Sequence, residues 1–359
     1  MRYLNALNLI DGVGSAKIKI LREYFGGGEN IWKADLSQLS QSGIGEKLAN
    51  IISLKRKSID PDQEWEKLKK ENIRVLDISN PDYPELLKEI HNPPELLYVK
   101  GEYFSFNEKP MLAIVGSRKI SSYGQQVAMS LARDLAASGI VIVSGLALGV
   151  DATAHRACLE TGEKTIAILG SGLDDKNIGP TANFNLSRRI IEQGALISDY
   201  PLGVSAGIGT FPARNRIMAG MTIGTLVIEA AQKSGTLITA NLALEYNREV
   251  FAVPGPIFSP TSEGTHNLIK SGAKLVSSAK DILEELNLEK RSAQQQIKKI
   301  VPSSQEEKMI AKVLSGEPLH IDRIIKLSKL ETSNAISTLS IMEIKGMVKN
   351  IGGQNYIIT

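Results

Sequence analysis

Met111-Leu-Ala-Ile-Val-Gly-Ser-Arg118 runs five apolar residues into a glycine and then into small and basic residues. A continuous apolar run closed by glycine predicts a buried parallel strand that turns sharply toward a helix. The pattern recurs at Ile140-Val-Ile-Val-Ser-Gly145, Thr165-Ile-Ala-Ile-Leu-Gly-Ser-Gly172, Ala195-Leu-Ile-Ser198, Thr225-Leu-Val-Ile-Glu229 and Val250-Phe-Ala-Val-Pro-Gly255. Helix-length segments separate most of these runs. Such alternation predicts an α/β fold with a doubly wound sheet.

In sheets of this kind ligands collect at the carboxyl ends of the strands. The polar punctuation falls there: Gly116-Ser117-Arg118, Ser144-Gly145, Gly170-Ser171-Gly172, Ser234-Gly235-Thr236 and Pro254-Gly255. Several of these lie just before a predicted helix, where free N–H groups and the helix dipole favour an anion. Taken singly, each glycine is explained by a tight turn. Together, and with Arg118 among them, they predict an edge that gathers phosphate. No G-x-G-x-x-G follows the first strand and no acidic residue ends the second, which argues against a nicotinamide cofactor. A P-loop is absent as well. No cofactor is expected.

At 359 residues, and roughly 150 per domain, the chain has room for two or three domains. A net charge of +3 permits nucleic-acid binding without demanding it, so any basic surface must come from local clustering. The lone cysteine, Cys158, lies in an apolar helix. It excludes an intramolecular disulfide or a cysteine metal cluster and suits a reducing cytoplasm, with core packing as its expected role. No signal peptide is expected at the amino terminus. No apolar run approaches the roughly 18 residues of a membrane span, so no membrane association is expected.

Residues 1–60 read as a helical domain with two hairpins, Leu9-Ile-Asp-Gly-Val-Gly-Ser-Ala-Lys17 and Leu39-Ser-Gln-Ser-Gly-Ile-Gly-Glu-Lys47. They resemble tandem helix-hairpin-helix motifs, whose exposed N–H groups dock DNA phosphates. Structural αα-turns fit them equally well. Within a core over 61–286, Pro61 to Asn72 predicts a charged helix, and Ile73–Ile78 and Leu96–Gly101 predict strands. Phe211-Pro-Ala-Arg-Asn-Arg216 places Arg214, Asn215 and Arg216 near a helix start, where arginine can grip phosphate bidentately. The hydroxyls of Ser234 and Thr236 can cap the following helix or hold phosphate. Glu229 could serve acid–base chemistry, but pairing with one of the arginines is favoured. Asp151 and His155 stand one helical turn apart, with His155 open to a catalytic role but favoured as a packed residue. Residues 287–304 read as a polar linker. Residues 305–359 read as three helices and a hairpin wing, the third helix carrying Ala335, Ile336, Leu339, Ile341 and Ile344 roughly at helical spacing. That helix carries little positive charge, which favours protein contact or weak DNA binding over strong DNA reading.

These motifs, with Ser144-Gly-Leu-Ala-Leu-Gly-Val-Asp151, Ser234-Gly-Thr-Leu-Ile-Thr-Ala240 and Gly264-Thr-His-Asn-Leu-Ile269, resemble the bacterial DNA-processing protein A (DprA, or Smf) family over nearly the whole chain. The resemblance implies an extended Rossmann-like core flanked by an N-terminal helix-hairpin-helix (SAM-like) domain and a C-terminal winged helix. It implies a homodimer formed through the core. It also implies a non-enzymatic role: binding and protecting incoming single-stranded DNA in natural transformation and loading RecA recombinase onto it. Arg118 matches the family's DNA-contacting arginine. The family's basic residue after the third strand is replaced by Thr181 in Asn177-Ile-Gly-Pro-Thr-Ala-Asn183, with Lys176 as a substitute. The expected site therefore comprises Gly116, Ser117, Arg118, Lys164, Gly170, Gly172, Lys176, Asn183, Phe184, Arg214, Asn215, Arg216, Ser234, Gly235 and Thr236. Phosphates would be held by Arg118, Arg214 and Lys164 or Lys176, with N–H groups of Gly116, Gly172 and Gly235, and bases would stack on Phe184 or Phe211. Two rival classes are a Rossmann-like nucleotide hydrolase, which Ser234-Gly-Thr236 and Glu229 echo only in part, and a protein-binding scaffold.

Overall fold

A computed structural model describes residues 1–102, 104–207, 209–288, 304–314, 319–344, 347–350 and 352–358. The chain divides into two compact units, Met1–Asn287 and Leu288–Thr359. The expected linker at 287–304 falls almost wholly outside the described residues, as do Lys345 and Ile351 of the expected winged helix.

The first unit opens with helices α1 (Arg2–Asn8), α2 (Ser15–Phe25), α3 (Gly28–Lys33), α4 (Leu36–Leu39), α5 (Glu46–Lys55) and α6 (Pro61–Lys70). Both glycine hairpins form. Gly12, Gly43 and Gly45 all sit at φ of 86–89°, backbone that a side chain would strain. Strand β1 (Ile73–Asp77), helix α7 (Glu85–Lys88) and strand β2 (Leu96–Gly101) follow. The alternating region then contributes β3 (Met111–Val115), α8 (Ser122–Ala137), β4 (Val141–Ser144), α9 (Val150–Glu160), β5 (Thr165–Ile168), α10 (Phe184–Gln193), β6 (Ala195–Ser198), α11 (Thr210–Gly220), β7 (Gly224–Val227), α12 (Thr236–Glu245), β8 (Glu249–Ala252), α13 (Glu263–Lys270), β9 (Lys274–Leu275) and α14 (Ala279–Glu285).

Among the described residues the strands form one nine-stranded sheet in the order β1-β2-β6-β5-β4-β3-β7-β8-β9. Neighbours from β6 to β9 are parallel, while β2 joins β6, and β1 joins β2, in antiparallel register. Every residue of β3 is buried, as a central strand covered by helices on both faces requires. From β3 the chain winds outward through β4, β5 and β6, then returns to lay β7 against the other side of β3. That reversal makes the β3–β7 boundary the switch point of the sheet.

The helices of residues 1–60 share a core with the sheet rather than packing apart from it. Leu7, Ile18, Leu21, Leu39 and Ile52 belong to one apolar cluster with Leu96, Tyr98, Leu186, Ile190 and Leu196. The Tyr98 hydroxyl donates to Asn5 Oδ1 (2.9 Å) and accepts from Asn8 Nδ2 (3.1 Å). Arg22 of α2 bridges Glu95 and Asp77. The other sheet face packs a second cluster around Leu97, Val115, Val143, Ile197, Ile217 and Ala240.

In the second unit, α15 (Gln305–Val313), α16 (Ile321–Ser328) and α17 (Thr332–Ile344) accompany strands β10 (Leu319–His320), β11 (Val348–Asn350) and β12 (Asn355–Ile358). The strands make an antiparallel sheet in the order β10-β12-β11, so the expected hairpin gains a third, short strand. Ala335 and Leu339 are buried as their spacing predicts, whereas Ile336 and Ile341 are about half exposed at 46% and 47%. Helical spacing alone marks a stripe wider than the one this small core covers.

Candidate nucleic-acid interface

A cleft of about 410 Å³ lies at the switch point. The β3–α8 loop supplies Gly116, Ser117, Arg118 and Lys119; the β4–α9 turn supplies Ala147 and the first turn of α9 Asp151; α11 supplies Phe211, Arg214 and Asn215; and the β7–α12 turn supplies Ser234 and Gly235, with Thr236 opening α12. Strand ends and helix starts meet there because the parallel strands all deliver their carboxyl ends to this edge.

Arg118 and Lys119 are exposed, and neither makes an ion pair among the described residues. The Arg118 guanidinium lies 5.1 Å from the centre of the Phe211 ring, a cation–π contact that orients it over the cleft. Arg214 is the opposite case, only 5% exposed. Its Nη1 donates to the carbonyls of Gly145 and Ile168, and its Nε donates to Asn215 Oδ1. Its Nη2 carries no hydrogen bond among the described residues, and the residue lines the cleft. Gly145 has no room for a Cβ, which would meet that guanidinium at 2.4–2.6 Å. Burial pushes Arg214 down to about 10, opposed by the Asp151 carboxylate beside it, so the guanidinium stays charged at neutral pH. Burial raises Asp151, while Arg214 and the N–H groups of Ala147 and Gly145 oppose the rise.

The hydroxyls at the start of α12 are engaged within the protein. Ser234 Oγ accepts from the Thr236 N–H and donates to Thr236 Oγ1, which donates in turn to the Gly116 carbonyl. They cap and tether; the Gly235 N–H is left without a partner among the described residues. Ser117 Oγ likewise closes its own turn, accepting from the Lys119 N–H and donating to the Lys119 carbonyl.

Of the expected residues, Gly116, Ser117, Arg118, Arg214, Asn215, Ser234, Gly235 and Thr236 come together here. The others do not line this cleft. Lys164 precedes β5 and so sits at the amino edge, opposite the cleft, paired with Glu102 (3.3 Å) and 4.5 Å from the Phe104 ring. Lys164→Ala should therefore leave nucleic-acid affinity within about twofold, as for a surface cation outside the contact region; filter-binding titration beside wild type checks this. Lys176 lines a separate cleft of about 490 Å³ with Lys67 and Lys70. Arg216 pairs with Asp199 and donates to the Asn92 carbonyl. It stands two residues from Arg214 on α11, about 200° around the helix, and so faces away. Gly170 and Gly172 serve packing: a Cβ at Gly170 would meet Thr210 at 3.0 Å, one at Gly172 would meet the Pro201 carbonyl at 2.6 Å, and the Gly172 N–H already donates to the Val204 carbonyl. Asn183 is buried and donates to the carbonyls of Leu146 and Ala147. Phe184 is half-buried, with Arg188 5.1 Å from its ring centre.

Glu229 pairs with no arginine among the described residues. Its carboxylate accepts from the N–H and the hydroxyl of Ser121 and from the hydroxyl of Thr261. His155 is fully buried, its Nδ1 bonded to Thr165 Oγ1, and burial pushes it down to about 3. It packs in the core away from the cleft. Cys158 is buried too, its thiol pushed up to about 12. In the first hairpin, Ser15 Oγ accepts from the Glu95 N–H (3.2 Å), turning that helix start toward the core. Lys119 is the cation that the sequence reading missed; it directly follows Arg118, which was the available signal.

The family model for DNA recombination-mediator protein A matches residues 74–287, and the DprA winged helix domain matches 295–354. The chain belongs to the DprA/Smf family. Protein Smf of Synechocystis sp. is 35% identical over 390 residues, covering 99% of this chain and 98% of the relative. DNA processing protein DprA of Streptococcus pneumoniae is 44% identical over 203 residues, covering 56% and 71%. The X-ray structure of DprA from S. pneumoniae superposes with a TM-score of 0.69 at 36% identity, over 79% of this chain and 98% of that one. The Helicobacter pylori protein, described for its single-stranded DNA binding mode, superposes with a TM-score of 0.54 at 31% identity, over 60% and 95%. The resemblance carried by Gly116-Ser-Arg118 and its companion motifs is thus shown, and with it a DNA-processing family. No helix among the described residues is long and apolar enough to cross a membrane.

Proposed function

We propose that this protein binds single-stranded DNA in the switch-point cleft, protects incoming DNA during natural transformation, and loads RecA recombinase onto it, acting as a cytoplasmic homodimer. The observation that carries the reading is a set of donors that share one cleft and make no hydrogen bond or ion pair among the described residues: the Arg118 and Lys119 side chains, Arg214 Nη2 and the Gly235 N–H. Their chemistry suits phosphate, which arginine grips and helix-start N–H groups favour. The half-buried Phe211 ring beside Arg118 brings an aromatic group to the cleft, which suits an unstacked base that a duplex does not present. The H. pylori relative's described single-stranded DNA binding supports the same reading. The role is binding rather than catalysis: Asp151 in the cleft is held by N–H groups and Arg214, and Glu229 is turned to Ser121.

Fluorescence-anisotropy titration of labelled oligo-dT and its duplex tests this. Oligo-dT should bind more tightly. Three cationic contacts imply a log–log salt slope of about −2, so a fourfold rise in salt should weaken binding roughly tenfold to twentyfold. Affinity flat with salt would refute a phosphate-gripping cleft. Failure of the full chain to bind either strand form would favour a scaffold, and release of a free base from nucleoside monophosphates would favour a hydrolase. Binding of RecA to the protein–DNA complex, read by co-sedimentation, tests the loading step, and light scattering tests the dimer.

A further inference from the structure

Glu229 is 4% exposed and lies two residues past the end of β7, yet it is absent from the cleft that the β7–α12 turn helps to build. Its carboxylate sits instead against the first turn of α8. Oε2 accepts from the Ser121 N–H at 3.0 Å and Oε1 from the Ser121 hydroxyl at 2.5 Å. Ser121 is the N-cap of this 16-residue helix and accepts from the Gly124 N–H. The fit is close: a Cβ at Gly124 would lie 2.4 Å from Glu229 Oε2. The start of the helix that follows β3 is where a doubly wound sheet ordinarily receives an external anion. Here one of the chain's own carboxylates fills it.

The second helix start on this edge is also closed. The Val150 N–H of α9 donates to the Ser117 carbonyl, and Asp151 takes the N–H groups of Gly145 and Ala147. At the start of α12 the Thr236, Leu237 and Ile238 N–H groups turn to Ser234 and Gly235, but the Gly235 N–H has no partner among the described residues, the first turn holds no acidic residue, and Arg214 lines the same cleft. The Arg118 loop, residues 116–121, is fixed at its near end by Thr236 on the Gly116 carbonyl and by Val150 on the Ser117 carbonyl. Its far end is held by Glu229 through Ser121.

We propose that Glu229 is a positioning residue: a built-in anion that closes the start of α8, clamps the far end of the Arg118 loop, and so directs an incoming phosphate to the Gly235 side of the cleft. The inference rests on the single-stranded DNA reading for its binding consequence, but its structural part stands without DNA. The test uses the full chain as wild type, Glu229→Ala and Glu229→Gln, each in chloride and in formate at equal ionic strength. Two readouts are taken: hydrogen–deuterium exchange over 116–124 without DNA, and oligo-dT affinity. In Glu229→Ala, exchange over 116–124 should rise, and affinity should fall about fivefold to tenfold, less than the loss of a charged hydrogen bond made directly to the phosphate, because Glu229 acts through the loop. Formate, entering the vacated position, should reverse both, whereas chloride should not. Glu229→Gln keeps the volume and loses the charge, and should remain looser than wild type over 116–124. A Gln variant identical to wild type, or formate acting no differently from chloride, would overturn the proposal. If wild type itself fails to bind oligo-dT, the proposed function falls, and exchange alone decides whether Glu229 clamps the loop.

Discussion

Arg214→Ala should lower the stability of the 1–287 unit by about 3–5 kcal/mol, the scale for breaking a buried charged hydrogen-bond network. The change strips Asp151 of its neighbouring cation and leaves the carbonyls of Gly145 and Ile168 without the Nη1 donor. At about 2–4 °C per kcal/mol for a unit of this size, the melting midpoint should drop by roughly 10 °C. Arg214→Lys should not recover the loss, because an ammonium cannot reproduce the planar fork. Asp151→Asn added to Arg214→Ala should recover part of it, since the amide needs no counter-charge. Thermal melts of the three variants decide the matter, and a midpoint for Arg214→Ala within a degree or so of wild type would remove Arg214 from this structural role. The same residue offers Nη2 to the cleft, so any binding measurement on it must be made well below the lowered midpoint.

Arg118→Ala should separate binding from stability. Arg118 is exposed and makes no ion pair among the described residues, so the melting midpoint should stay within about 2 °C, the surface-residue scale of about 0.5 kcal/mol. Oligo-dT affinity should fall about thirtyfold, or about 2 kcal/mol for a charged hydrogen bond to phosphate. The salt slope should become shallower by about one contact. Loss should be uniform across oligonucleotide sequences, because phosphate carries no sequence information. Parallel anisotropy titrations with oligo-dT and mixed-sequence strands check this. A loss confined to one sequence would mean that Arg118 reads a base rather than holding the backbone.

Much of this site could be read from the chain because its parts are contiguous. Gly116-Ser-Arg118 and Ser234-Gly-Thr236 each follow an apolar strand, and local sequence determines that a strand ends in a turn there. What could not be read is which strand ends are neighbours. The meeting of β3 with β7 depends on where the returning chain packs, and no residue pattern encodes it. The partner of Glu229 lies 108 positions away at Ser121, which explains why an arginine seemed the natural match. Two misplacements were avoidable on geometry alone. Lys164 precedes its strand and therefore lies at the wrong edge of a parallel sheet. Arg216 sits two residues from Arg214, and residues so spaced do not share a helix face.

The amino-terminal helices and the sheet hold one apolar interior between them, with Tyr98 pinned from both sides by Asn5 and Asn8. Neither part owns that interior. A version of this protein that began at the sheet would turn Leu96 and Tyr98 outward and invite aggregation. In this chain the hairpins are therefore built into the sheet unit, and cutting them away would unmake the fold that holds the cleft.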